Sequence, residues 1–223
     1  MKAACSALVL ALTTSSALAQ SGTLKLDGMV KGEYETMNIS FDGHRESVYV
    51  GPMVMQLGNG PHFGAYCVDL GDSNSIGDSY GVTGQNIDTL HNGAWAAELF
   101  NKFAGTVKTA KQGAGLQLAI WDVLEDNGKG FSSGAFQVRG YADLIAQATE
   151  YLRSNVTGAS DSATWLVADD HGRYDDVHQN VLTGPQLGGP GFGIHDAPGP
   201  SSIVTFAVGA AGALRARRRR KRS

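Results

Sequence analysis

The hydrophobic positions of this chain change period twice. From residue 20 to about residue 92 they fall in short segments with partial alternation or β-branched and aromatic enrichment, at 23–30, 34–41, 47–55 and 63–70. A period of two turns one face of an extended segment inward, so these four segments predict strands. Gly28, Gly32, Asp42-Gly43 and Gly58-Asn59-Gly60 punctuate them, and Asp-Gly suits a tight hairpin turn. The period then becomes helical. Ala96, Leu99, Phe100 and Phe103 form one stripe; Leu116, Ala119, Ile120, Val123 and Leu124 form a second. Tyr141, Leu144, Ile145, Ala148, Tyr151 and Leu152 form a third. Strand character returns at 164–168 and 177–182. Strands, helices and strands again predict an α+β fold: a β-rich, sandwich- or barrel-like body with an inserted helical subdomain.

Composition narrows this picture. Of 223 residues, 42% are hydrophobic and 17% charged, enough to build a core. The 30 Gly and 6 Pro suit strands and turns, and no Gly-X-Y period marks a collagen. Two Cys and six His leave no Cys-rich zinc module and no disulfide scaffold. The formal charge of −3 conceals a division. Residues 20–200 hold all 21 acids and 10 bases, 10 − 21 = −11, while seven bases crowd into residues 215–222. An acidic body repels phosphate backbones, which argues against a nucleic-acid partner.

Both ends read as addresses. Residues 1–19 have one Lys, an apolar run at 7–12 and a closing Ala17-Leu18-Ala19, the anatomy of a secretory signal. Cleavage there removes Cys5 and predicts export. Residues 184–197 are rich in Gly and Pro and read as a tether. Beyond them stand Pro198-Gly199-Pro200, an apolar segment at 203–214 and the basic tail. Twelve apolar residues fall short of the ~20 needed for a full span. A polar motif, a short apolar segment and a basic tail resemble the PEP-CTERM sorting signal of exported bacterial proteins, with Pro-Gly-Pro where that family has Pro-Glu-Pro. The resemblance implies processing by an exosortase-type enzyme and only transient contact with the membrane at 198–223. A plain C-terminal anchor is the alternative.

One cysteine then remains in the body, residues 20–183. Cys67 is open to four readings: a buried inert thiol, an intermolecular disulfide, a catalytic nucleophile, or a partner in another covalent bond. A Cys-His hydrolase would need an imidazole and an orienting group, and the spacing of His62, His91, His171 and His178 selects none. The acidic, Gly-rich segment 69–78 hints at calcium. However, Ile76 stands where an oxygen ligand is required and no Glu closes the loop. Asp169-Asp170-His171 and Asp175-Asp176 read as an exposed acidic face. Gly113-Ala114-Gly115 lacks the Lys and Ser/Thr of a phosphate loop and reads as room for a close helix approach. No metal and no cofactor is expected.

Cys67 lies in Phe63-Gly64-Ala65-Tyr66-Cys67-Val68-Asp69, and fifty residues later comes Leu116-Gln117-Leu118-Ala119-Ile120-Trp121. An aromatic-Cys-apolar-Asp strand followed by an apolar-Gln-x-Ala-Ile-Trp helix resembles the paired motifs of bacterial thioester domains, known from surface adhesins. The resemblance implies that the Cys67 sulfur and the Gln117 carboxamide carbon join, releasing ammonia. A thiolate is the strongest side-chain nucleophile, and a primary carboxamide supplies the acyl carbon. The product would acylate amines, such as protein lysines, polyamines or amino sugars on a surface or matrix target. This is single-use chemistry, not an enzyme's turnover. Such a bond must stay dry, and Tyr66, Phe63, Trp121 and Trp95 are the candidate shielding aromatics. Closing a loop of about 50 residues is worth roughly 4 kcal/mol by the disulfide loop-entropy relation, so the bond could also act purely as a staple. The alternative is a non-covalent surface or matrix binding or structural protein of the same fold with no thioester.

Overall fold

The computed structural model describes residues 21–154, 157, 163–170 and 178–184. The signal segment, the tether after Gly184, the motif Pro198-Gly199-Pro200 with its tail, His171 and Asp175-Asp176 lie outside the described residues.

The chain is α+β. Nine strands are described: β1 (Ser21–Met29), β2 (Glu35–Phe41), β3 (His44–Val50), β4 (Met53–Leu57), β5 (His62–Cys67), β6 (Ser79–Gln85), β7 (Phe136–Val138), β8 (Thr164–Ala168) and β9 (Val181–Thr183). Between β6 and β8 come α1 (Gly93–Phe103), α2 (Ala110–Asp126) and α3 (Ala142–Arg153), with β7 between α2 and α3. Six strands close a barrel in the order β1-β4-β5-β9-β8-β6, and β3-β2-β7 form a separate small sheet. Closure leaves the barrel without a free edge strand.

Cross-strand partners share a face. Leu26 pairs with Met55, Met55 with Phe63 and Met53 with Ala65. Cys67 pairs with Val181 and Val181 with Leu166. These buried side chains, Cys67 among them, line one face of the barrel wall. Tyr66, Leu182 and Trp165 line the other. There Tyr66 meets Phe100 of α1 edge-on, with ring centroids 6.0 Å apart. One apolar core runs continuously through barrel, helices and small sheet.

Several expectations need correction. Segment 47–55 is not one strand. The chain breaks at Gly51-Pro52, so β3 pairs with β2 in the small sheet while β4 enters the barrel. Gly51 sits at φ +144, and a Cβ there would collide with Glu33 and Tyr34, so this corner requires glycine. Strand 63–70 ends at Cys67, because Asp69 folds its main chain back onto the Cys67 sulfur. β6 escaped the pattern because Gly81 and Gly84 interrupt it; Gly81 lies where any Cβ would meet the Asp169 carboxylate. The Asp42-Gly43 turn forms as expected. Both residues have positive φ, 50 and 82, which matches the twist of the β2–β3 hairpin.

The stripe on α2 was also too narrow. Every residue from Gly113 to Leu124 is buried. The helix is enclosed on all sides rather than lying on a surface, so periodicity alone understates its burial.

Candidate functional site

α2 carries one half of the site and β5 the other. Thr109 caps the helix by accepting the Gln112 N–H, and Gln112 reaches back to the Lys108 N–H at 2.9 Å. This Thr-x-x-Gln arrangement resembles a capping box. At the far end Asn127 adopts the left-handed conformation, and its N–H and that of Gly128 both bond to Asp122 O. Two glycines let the helix approach its neighbours. A Cβ on Gly113 would strike the Glu33 carbonyl and come within 2.9 Å of Pro52 Cδ; one on Gly115 would come within 2.6 Å of Gln147 of α3. Gly113 thus seats α2 against the corner where β4 begins. Gln117 lies one turn further along, on the same helix edge, and Trp121 one turn beyond it.

Gln117 meets the end of β5. Its Oε1 accepts the Cys67 main-chain N–H at 3.0 Å, and its Nε2 donates to the Cys67 carbonyl at 2.8 Å. Both residues are almost fully buried, at 1% and 4% exposure. Hydrogen-bonding groups alternate sides along an antiparallel strand. The Val68 N–H bonds to Asn180 O on the β9 side, so the Cys67 pair points toward β4. The last β4–β5 pair is Met53 with Ala65, and Pro52 has turned its carbonyl to the Val30 N–H. The Gln117 amide occupies the position a further β4 peptide group would take.

The sulfur is enclosed. Cys67 Sγ donates to Asp69 O at 2.9 Å and lies 3.4 Å from the Asp69 N–H. Burial pushes the thiol far above its ordinary range. The Asp69 main-chain contact and the Trp121 indole N–H favour the thiolate, while the carboxylates of Asp69 and Asp72 oppose it. The resting group is a neutral thiol.

A polar strap holds the loop after β5. Asn180 bonds to Asp69 Oδ2 at 3.1 Å and accepts the Ala168 N–H at 2.9 Å. Gln179 donates to Asp72 O at 2.9 Å, and its N–H goes to Asn74 at 3.0 Å. Tyr80 donates to Gln179 O, accepts from Asn74 and stacks on His178 at 4.4 Å. His178 in turn meets Asp170 at 2.6 Å. His178 is thus engaged with Tyr80 and Asp170.

Of the aromatic residues read as shields, Trp121 is buried one turn beyond Gln117 and meets Phe136 edge-on. Phe63 shares the Cys67 face of the barrel wall, four residues away along β5. Tyr66 is fully buried on the opposite face under α1. Trp95 packs over Gly128, eleven residues beyond Gln117 and about 16 Å along the helix direction. Neither Asn180 nor the Pro52 corner belongs to a local pattern, so neither is visible before the fold is known. In the acidic segment 69–78, Asp69 accepts the Gly71 N–H and Asp78 the Ser75 N–H. Among the described residues no group of three or more His, Cys, Asp or Glu could hold a metal, and no helix is long and apolar enough to cross a membrane.

Comparison with known proteins returns no match: no family model fits the chain, and no curated protein or solved structure is significantly similar to it.

Proposed function

We propose that this chain is an exported cell-surface or matrix protein whose body forms an internal Cys67–Gln117 thioester and spends it once, on an amine-bearing target. The observation that carries this reading is the double hydrogen bond between the Gln117 carboxamide and the main chain of Cys67. It holds the acyl carbon beside the one residue that owns the nucleophile. The Cys67 N–H, bonded to Oε1, draws charge toward that oxygen, as a donor at a developing oxyanion does. In bond formation the Cys67 S–H adds to Gln117 Cδ. The C–N bond breaks and the nitrogen leaves with the thiol proton as ammonia. In attachment an amine nitrogen attacks Cδ, the C–S bond breaks, and the amine's proton passes to sulfur. An amide remains on Gln117 and a thiol on Cys67. Burial keeps water from competing. No cofactor enters, and the chain does not turn over. The helical stretch between β6 and β8 acts as an insertion that delivers Gln117. The ends fit a signal-directed export followed by exosortase-type processing at 198–223, without a nucleic-acid partner.

The test is the intact mass of residues 20–197 under non-reducing conditions, before and after methylamine. A mass short by one ammonia, with methylamine then gained at Gln117, is expected. The full mass, with Cys67 alkylated after denaturation and no methylamine uptake, rejects the bond.

The same two hydrogen bonds favour a second reading. An amide that stands in for a missing β4 peptide group completes the pairing of β5 without reacting. The protein is then a non-covalent binding or structural module, and the mass measurement separates the two.

A further inference from the structure

We propose that the main-chain carbonyl of Cys67 is the amine subsite: it accepts an N–H of the attacking nitrogen and thereby restricts attachment to primary amines. This rests on the thioester reading and deepens it by naming what binds the amine. In the resting chain the Cys67 carbonyl accepts the Gln117 Nε2–H at 2.8 Å, in an interior where the two residues are 4% and 1% exposed. That nitrogen is the one that leaves as ammonia. Its departure takes the donor from a buried carbonyl, and such a group is costly to leave unpaired. No strand N–H replaces it. The Cys67 carbonyl faces the β4 side, and β4 reaches no further than Met53, opposite Ala65. The thioester therefore carries, beside its acyl carbon, an acceptor fitted to an incoming N–H.

Attack of ammonia on the thioester is the reverse of the step that formed it. By microscopic reversibility its nitrogen returns along the path of the departing one, with an N–H on the Cys67 carbonyl. Another primary amine follows that path with its substituent in place of one hydrogen. As the C–N bond forms, the nitrogen becomes cationic and carries two hydrogens. One stays on the Cys67 carbonyl, where the charge strengthens the bond. The other passes to sulfur as the C–S bond breaks, leaving an amide on Gln117 and a thiol on Cys67. Throughout, the Cys67 N–H, 3.0 Å from Oε1, holds the acyl oxygen. A secondary amine reaches the same stage with a single hydrogen. Giving it to sulfur means abandoning the Cys67 carbonyl. The number of hydrogens on nitrogen, not its bulk, sets the selectivity. A lysine side chain, a polyamine terminus or an amino sugar fits; the inner nitrogens of a polyamine and an N-terminal proline do not.

The experiment exposes the whole exported chain to four amines. Mass spectrometry follows uptake at Gln117, and a small alkyl thioester in the same buffer is the reference. Ethylamine and isopropylamine are primary, the second branched beside nitrogen. Dimethylamine, an isomer of ethylamine, and azetidine, whose ring ties its substituents back, are secondary. Each rate is divided by the rate of the same amine with the reference. Both primary amines are then expected to exceed both secondary amines by about tenfold or more, the rate equivalent of one charge-assisted hydrogen bond. Any other order overturns the proposal while the thioester stands. Ethylamine and azetidine ahead of isopropylamine and dimethylamine would mark bulk as the filter, and four equal ratios would mark no filter. A chain of full mass that takes up no amine overturns the thioester reading itself and this proposal with it.

Discussion

The Gln117 carboxamide is bonded twice to the main chain of a single residue, Cys67, fifty positions earlier, at 3.0 and 2.8 Å. It continues the hydrogen bonding of β5 where β4 has stopped. One amide therefore serves as a strand surrogate and as an acyl group presented to a thiol. The first role concerns stability and the second reactivity, and substitutions separate them.

Gln117→Ala strands the Cys67 N–H and C=O in a dry interior, at about 1–3 kcal/mol per group. Cys67→Ala keeps both hydrogen bonds and loses only the sulfur. Any thioester is abolished by either change, so its contribution of roughly 4 kcal/mol cancels in the comparison. Urea unfolding is expected to place Gln117→Ala about 2 kcal/mol or more below Cys67→Ala. Equal stabilities would remove the strand-surrogate role.

Gly113→Ala drives a methyl group into the Glu33 carbonyl and against Pro52. Neither backbone can yield cheaply, so α2 must shift and carry Gln117 with it. A loss of about 1–3 kcal/mol is expected from such overpacking. Thioester content, read as the mass deficit of one ammonia, should fall at the same time. A variant that is destabilised yet keeps the full deficit would show that Gly113 serves packing alone.

Asn180→Ala removes the side-chain bonds to Ala168 N–H and Asp69 Oδ2. The loop beyond β5 loses one of its ties to the β8–β9 side, keeping those through the Asn180 carbonyl and Gln179, and the cover over the sulfur loosens. Faster hydrolysis of the thioester in buffer is expected, followed by mass spectrometry over time, together with a stability loss of about 1–3 kcal/mol. Unchanged hydrolysis would place the water barrier elsewhere.

Asp122 gives a pH signature independent of the bond. Burial raises its carboxyl from 3.8 to about 6; the Gly130 N–H opposes this and Asp126 adds to it. Between those two values the folded chain holds a proton that the unfolded chain has released. Stability therefore falls as pH rises from about 4 to about 6, by up to about 1.4 kcal/mol per pH unit from this group, and levels off above. Asp122→Asn should flatten that part of the profile in urea unfolding at several pH values. Equal slopes through this window in the wild type and Asp122→Asn contradict the assignment.

Much of this was legible from local pattern. Asp42-Gly43 announced its hairpin because two consecutive positive φ values demand such residues. The three helices declared themselves by spacing. Cys67 and Gln117 stood out by motif, and the fold brings them into contact. Other features were hidden. Segment 47–55 reads as one strand because alternation continues through Gly51-Pro52, and only the crowding of Glu33 and Tyr34 at Gly51 reveals the corner. Trp121 reads as a shield from its size. That its ring meets Phe136 of β7 edge-on depends on how α2 packs against the small sheet.

Local pattern specifies the three helices, most of the strands, their order and the chemical types at positions 67 and 117, because hydrophobic period and turn chemistry act over a few residues; β6, β7 and the break at Gly51-Pro52 lie beyond it. What those residues do to one another follows from long-range packing. Barrel closure, the early end of β4 at Pro52 and the bare face of α2 at Gly113 are long-range events, set by which backbones can approach. They turn two residues fifty positions apart into one buried site.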